Sequence, residues 1–476
     1  MKNTNTTPLL LIDELVDEIL LCLPVKSLKR FKLVSKPWNS LISDPNFAQS
    51  HLNRSNTLLS QGDRANLLRL GQISITERKH HRDDEKGHRQ FLSLDSMDAD
   101  GSNREVVTMD LGLEYYSDEA SILGSCNGLL VVSVEHDDFF LLNPSTRQYK
   151  KISPPHLDYE AMFISGLGYE STSGNYKGII VSHYISGPSS PRSRYESIDY
   201  HVYDYKLNEW KRKEYDDFYP YCLHSDGSAV MVNGIPHWCV GRQEKVEDEE
   251  SDEEYEDGES DGSEGYQFPS VTYVIVYVDL KTEKFKEVVE LPTEWALTEK
   301  AEFELGVLGG WLCMSLHPQG SSTSTEVWAM KEYGIAESWT KLFVINKSSS
   351  FRPLLMRPIC FTETGRNKVL MEGTEGEFII FNLKQGLEKL LALYKCKSTV
   401  CTYVESLVSP EQYGNGAELP QFGGNPIVDS DYSDYDADEM DYDDDAYEIQ
   451  YRLDHKKLLD RLVGSAYMDR LDQFGS

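Results

Sequence analysis

Two short phrases alternate along most of this chain, and their recurrence constrains the fold more than any other feature. The first phrase reads strand, tight turn, strand. It appears as "GSCNGLLVVS" (124–133), "GLGYESTSGNYKGIIVS" (166–182), "AVMVNGIPHWCV" (229–240), "ELGVLGGWLCMSL" (304–316) and "ICFTETGRNKVLME" (359–372). The second reads strand, polar turn, aromatic, strand, as in "FFLLNPSTRQYKKI" (139–152), "YHVYDYKLNEWKRK" (200–213) and "VIVYVDLKTEKFKEV" (274–288). In these three copies Asn143 and Tyr149, Asp204 and Trp210, and Asp279 and Phe285 stand six residues apart. "EVWAMKEYGIAESWTKL" (326–342) and "EFIIFNLKQGLEKLLAL" (377–393) are looser copies with altered turns. One pair of phrases supplies about four short strands, and pairs recur roughly every 45–75 residues, the size of a β-propeller blade. Gly128, Gly234 and Gly310 fall at the turns, where positive φ is needed.

Five blades are clear. A sixth is predicted from "ANLLRLGQISI" (65–75) and "QFLSLDS" (90–96). "TVCTYVESLVSP" (399–410) is expected to add a strand to it from the far end and close the ring. Closing the ring leaves only short, protected sheet edges, which otherwise invite aggregation.

The first fifty residues follow a different period. In "DELVDEILLCLP", Leu15, Ile19 and Leu23 form one helical line flanked by Val16 and Leu20, with Asp13 to cap the start and Pro24 to end it. A second helix is expected over about 25–35. A third begins at "SDPNFAQSHL", with Asp44 as N-cap and Pro45 at the first helical position. Three short helices bury little area and are marginal alone. Their apolar residues exceed what so small a core hides. Trp38 either fills that core or, with the leucines, forms a docking patch of the kind aromatic anchors dominate. Lys26, Lys29, Arg30, Lys32 and Lys36 fall in the same region with no acid among them. That basic run either steers an acidic partner or is a solvated helix face.

The stretch "LLIDELVDEILLCLPVKSLKRFKLVSKPWNSLISDPNF" resembles the F-box of plant F-box proteins that carry an F-box-associated domain. The match runs through Leu11, Leu15, Ile19, Leu23, Pro24, Val25, Leu28, Phe31, Val34, Lys36, Trp38, Leu41, Ile42, Asp44, Pro45 and Phe47. It departs at Ile12, where proline is usual, at Lys29, where leucine is usual, and at Pro37, often serine. "GSCNGLL", "LLNPSTRQYKK", "VNGIPHW", "VWAMKEYGIAESWTKLF" and "YVESLVSP" resemble the associated domain, which is similar to a kelch-like propeller. The resemblance implies a small all-α F-box module over 9–54 and an all-β propeller of about six blades over 57–410. It further implies a substrate-recognition subunit of an SCF-type E3 ubiquitin ligase. The F-box would dock on a Skp-type adaptor, and through it a cullin–RING ligase, by way of Leu11, Leu15, Ile19, Leu23, Pro24, Leu28, Val34 and Trp38. The propeller would bind a target protein. A propeller scaffold acting outside a ubiquitin ligase is the alternative.

Charge narrows the remaining classes. Of a net −32, residues 244–264 carry −12 and residues 429–448 carry −11, leaving about −9 for everything else. The first run is expected to project from one blade as an acidic disordered insert. The second belongs to an acidic tail over 411–476, with a possible terminal helix at 447–474. Overall acidity argues against nucleic acid as a partner. No run of eighteen apolar residues exists, and the N-terminus is no signal peptide, so a membrane is not expected and the location is intracellular, in cytoplasm, nucleus or both. The eight cysteines form no CxxC pair and read as buried thiols. "HHRDDEKGH" (80–88) reads as a solvated loop rather than a zinc site. No nucleophile elbow, zinc-protease or P-loop signature is present, so no catalytic residue, metal or cofactor is expected.

Overall fold

The computed structural model describes residues 15–60, 68–79, 88–112, 120–135, 138–153, 162–184, 197–213, 221–222, 227–243, 271–292, 295, 302–317, 324–346, 356–362, 367–373, 378–391 and 400–412. Leu11, the acidic insert, the acidic tail beyond 412, its possible helix and the histidine-rich stretch 80–87 lie outside them. The helical module and the ring belong to one compact unit, Met1–Asn346 with Pro353–Asn415.

Six sheets make a six-bladed propeller, as the repeats predict. Blade 2 is representative: Ala120–Cys126, Leu129–Val134, Asp138–Asn143 and Gln148–Ile152 pair antiparallel in sequence order. Blades 5 (Glu302–Leu308 to Trp339–Asn346) and 6 (Met356–Phe361 to Gly386–Leu391) follow the same plan. Blade 3 (Met162–Glu170 to Glu209–Lys213) gains Gly227–Ser228 as a parallel fifth strand. In blade 4, Val230–Val232 and Tyr221–Cys222 both pair with Ile235–Gln243, and Val271–Asp279 and Lys284–Glu290 complete the sheet.

Blade 1 closes the ring. Leu68–Lys79, His88–Asp98 and Glu105–Met109 come from the start of the domain, while Val400–Val404 pairs with Leu68–Gln72 from its end. Arg69 locks this joint. It donates to Asp98 Oδ1 at 2.7 Å and to Ser96 Oγ at 2.8 Å, and Ser96 Oγ also meets the Tyr403 hydroxyl at 2.8 Å.

The second phrase recurs because it builds one turn. Oδ1 of Asn143 accepts the amides of Ser145 and Thr146; Asp204, Asp279 and Asn382 do the same for the residues two and three further on. Such Asx turns reproduce a backbone turn with a side chain. The fourth residue on takes positive φ: Arg147 at 60°, Asn208 at 57°, Glu283 at 57° and Gly386 at 93°. The chain then enters the outer strand, where in blades 2 to 4 the aromatic follows. Tyr149, Trp210 and Phe285 pack against Phe140, Tyr203 and Tyr200 respectively. The first phrase turns at Asn127-Gly128, Asn233-Gly234 and Gly309-Gly310, all at positive φ, the signature of a two-residue hairpin.

Apolar clusters fill the junctions between blades. Phe140, Val132 and Leu130 of blade 2 meet Leu92, Leu94 and Val107 of blade 1. Trp238 and Val276 of blade 4 meet Ile179 and Val202 of blade 3. Leu370 and Phe378 of blade 6 meet Leu70 and Met97 of blade 1, which completes the circuit. The first strands approach so closely that a Cβ on Gly124 would stand 2.5 Å from the Leu167 amide nitrogen. Of the six tryptophans at repeat positions, Trp238, Trp295 and Trp339 are buried in these junctions, and Trp210, Trp311 and Trp328 are half-buried.

Among the described residues the N-terminal module holds four helices rather than the three expected. Residues 15–21 form α1, Val25–Phe31 α2, Lys36–Ile42 α3 and Pro45–Ser60 α4. The expected second helix is broken after Phe31. Ser35, in extended backbone, caps a new helix by accepting the Trp38 amide at 3.3 Å, and Pro37 sits in its first turn. The start of α4 agrees with the sequence reading: Asp44 Oδ1 accepts the Asn46 amide at 2.7 Å and Pro45 is its first residue.

Candidate functional site

Leu20, Val25, Leu28, Ile42, Phe47 and Ala48 make the small core of the helical module, with Leu23, Phe31 and Trp38 at its margin. Phe31 and Trp38 pack as a tilted ring pair with centroids 5.4 Å apart. Trp38 is therefore shared between core and surface, half-buried. His51 of α4 is buried, and its Nε2 donates to the Leu23 carbonyl at 2.8 Å, tying α4 to the end of α1. Burial holds that imidazole below its ordinary pKa, against the raising influence of the same carbonyl.

Around this core lies an exposed apolar face. Leu15 and Ile19, one turn apart on α1, are 61% and 60% exposed; Val34 is 62% exposed in the link between α2 and α3. Pro24 is exposed and Leu23 half-buried at the α1–α2 corner. Leu15, Ile19, Leu23, Pro24 and Val34 thus put five exposed or half-buried apolar groups on one small module, the kind of patch that characterises interaction surfaces. Two adjustments to the predicted set follow. Leu28 is fully enclosed, so it supports the surface from beneath and cannot touch a partner. Leu33, not singled out from the sequence, is 88% exposed beside Val34. Its signal is Ser35 followed by Pro37, which ends α2 and throws both preceding residues outward.

The basic run has an intramolecular use that the sequence did not reveal. Lys29 donates to the Ser145 carbonyl of blade 2 at 2.8 Å, and Lys26 pairs with Glu105 of blade 1 at 3.3 Å. Burial lowers the Lys29 pKa, with Arg147 adding to the effect, consistent with an ammonium set against the ring. Arg30 and Lys36 remain exposed. On α4, Leu52 is buried with Leu123, Cys126 and Val408 in the cluster between blades 2 and 3, and Asn56 reaches Asn127 at 3.3 Å. The module thus sits on the turns of blades 1 and 2 through α2 and α4, while Leu15, Ile19, Leu33 and Val34 stay uncovered.

Residues 93–410 match the F-box associated beta propeller domain, and residues 9–50 match the F-box domain. This chain is an F-box protein of that family. F-box protein CPR1 of Arabidopsis thaliana is 27% identical over 402 residues, 81% of this chain and 85% of that protein. An F-box/kelch-repeat protein of the same plant is 24% identical over 394 residues, 81% of this chain and 87% of that protein. Among solved structures, an oligogalacturonate lyase in complex with manganese aligns over 67% of this chain and 84% of that one, at 10% identity and a TM-score of 0.29. The F-box lies where the exposed apolar face is, and the propeller match ends with the segment that closes the ring.

Among the described residues no group of histidine, cysteine, aspartate or glutamate could hold a metal ion, and no helix is long and apolar enough to cross a membrane. Cys126, Cys239, Cys313, Cys360 and Cys401 are unpaired. Burial pushes the first four thiols up to about 12, far from the thiolate a nucleophile needs. Loops 183–198 and 317–325, which join strands of the ring and are candidates for holding a target, lie mostly outside the described residues.

Proposed function

We propose that this F-box protein is the substrate receptor of an SCF-type ubiquitin ligase. The F-box docks on a Skp-type adaptor, and through it on a cullin–RING core. The propeller holds a protein target. The observation that carries this reading is the uncovered face of Leu15, Ile19, Leu33 and Val34, continued by Leu23, Pro24 and the edge of Trp38. Leu11 precedes it in the F-box match and is assigned to the same contact. The mechanism is proximity: holding target lysines near charged ubiquitin raises their effective concentration, and the chain performs no bond chemistry itself. It acts in the cytoplasm, the nucleus or both. Lys29, a departure from the usual F-box pattern, bonds to blade 2, so it does not argue for a scaffold outside a ligase. The test is reconstitution of the full chain with adaptor, cullin–RING core and charged ubiquitin carrier. Ubiquitin should appear on lysines of the receptor itself only when the adaptor is present. No transfer, while a control receptor is modified in the same mixture, refutes the proposal.

A further inference from the structure

The segment that follows the ring-closing strand does more than close the ring. After Val404 the chain runs through Glu405, Ser406, Leu407 and Val408, wedged among three surfaces. Gly128 of blade 2, at φ +81°, lies so close that a Cβ there would stand 2.5 Å from the Val404 carbonyl and closer still to Ser406. Asn143, at the end of the third strand of blade 2, gives both protons of its amide to the segment. Its Nδ2 lies 3.1 Å from the Ser406 carbonyl, 2.7 Å from the Val408 carbonyl and 3.2 Å from Ser406 Oγ. Leu407 leaves the propeller altogether. It is buried in the core of the helical module with Leu20, Leu28, Ile42 and Phe47. Val408, its neighbour, is buried on the propeller side with Leu52 of α4.

We infer that residues 405–408 are a clamp that completes the F-box core from the far end of the chain. The F-box is therefore fully folded only when the propeller ring has closed. The chemistry of the repeat supports a dedicated role for Asn143. Blades 3 and 4 place aspartate at the same turn position, where Asp204 and Asp279 cap the turn equally well. An aspartate in blade 2 would keep that cap but would aim a carboxylate, which has no proton to give, at two carbonyl oxygens. Asparagine is the residue that can accept from the turn through Oδ1 and donate to the clamp through Nδ2 at once. The module needs the help, because a core of so few side chains is marginal without an external wall. Its consequence rests on the adaptor-docking reading: a chain whose ring is open would present no competent docking face, so defective receptors would stay off the ligase.

The experiment is hydrogen exchange on the full chain, compared among wild type, Asn143→Asp and Leu407→Ala. Amides of Val25–Phe31 and Pro45–Ser60 should exchange at least about tenfold faster in both variants, while the strands of blades 4 and 5 keep wild-type rates. Coupling must also run backwards, so Leu28→Ala, which damages the module core, should speed exchange at 405–408. Unchanged helix exchange in Leu407→Ala, or unchanged 405–408 exchange in Leu28→Ala, overturns the clamp. Loss of protection in blades 4 and 5 together with the helices, in both clamp variants, also overturns it, since the segment would then serve the ring alone. Adaptor affinity of Asn143→Asp is read in parallel. Weakening beside faster helix exchange supports the consequence. A wild type that binds no adaptor removes the docking reading and leaves the exchange result to decide the clamp.

Discussion

Replacing Glu283 with glutamine should cost this protein a large part of its stability, although the residue lies in a surface turn. Glu283 takes positive φ at the end of the Asx turn of blade 4 and bridges Lys177 and Lys213 of blade 3. Its side chain is 11% exposed, that of Lys177 10% and that of Lys213 20%. The Tyr200 hydroxyl donates to the Glu283 carbonyl at 3.1 Å, so backbone and side chain both serve the junction. At an effective dielectric of about 20, a charge pair 4 Å apart gains roughly 4 kcal/mol, and desolvation cancels much of it. The net value of the pair is therefore small, but removing one partner is not symmetrical. Glutamine leaves two ammonium groups facing each other with no anion. Losing one partner of a buried pair costs about 3–5 kcal/mol; the wetter Lys213 places this case near 3. Urea unfolding of the full chain measures it. A double variant, Lys177→Met with Glu283→Leu, should recover most of the loss. The acid limb gives a second reading. Burial raises the Glu283 pKa, but hydrogen bonds and charge from Lys177 and Lys213 outweigh it and hold the carboxyl below its ordinary 4.5. A depressed carboxyl stabilises the fold above its unfolded pKa, and that contribution disappears as pH falls through the folded value. Glu283→Gln should lack this component. A loss below about 1 kcal/mol, the value of an exposed pair, refutes the reasoning.

Three further outcomes are expected. His237 is buried, with Nδ1 donating to the Ile235 carbonyl at 2.9 Å and Nε2 accepting from the Tyr333 hydroxyl at 2.7 Å; burial lowers its pKa to about 4. The folded state then binds fewer protons than the unfolded, so stability should fall by about 3 kcal/mol between pH 6.5 and 4, and His237→Phe should flatten that slope in thermal unfolding. Gly128→Ala forces a side chain into positive φ against Ser406 and should cost about 1–3 kcal/mol, read as a lowered Tm. Among Cys22, Cys126, Cys239, Cys313, Cys360 and Cys401, a thiol reagent at pH 8 should label Cys22 alone in the native protein, as mass spectrometry would show.

The propeller was legible because blades 2, 3, 4 and 6 repeat a local device. Asn or Asp at the end of the third strand makes the turn with its own side chain, and an aromatic six residues later in blades 2 to 4 covers the outer strand. Local chemistry leaves a local trace, so blade number and even the returning strand 400–404 could be read in advance. The helical module was less legible. Leu28 and Val34 both fall within the expected second helix, yet one is enclosed and the other exposed, because what covers Leu28 includes Leu407, nearly four hundred residues away in the chain. Lys26 and Lys29 misled for the same reason. Their partners, Glu105 and Ser145, are set by how the module sits on blades 1 and 2, which no local pattern records. The break after Phe31 was readable from Ser35 and Pro37, but the apolar spacing through Val34 masked it.

The uncovered F-box face is tested most directly by calorimetric titration of the full chain with a purified Skp-type adaptor. The wild type should bind one adaptor per chain. Ile19→Asp should lose at least about 2 kcal/mol, the scale of an interface hot spot, roughly thirtyfold in Kd. Leu207→Asp, at an equally exposed leucine in a turn of blade 3, should bind as the wild type does. No binding by the wild type, or equal binding by wild type and Ile19→Asp, would contradict the assignment of this face to the ligase.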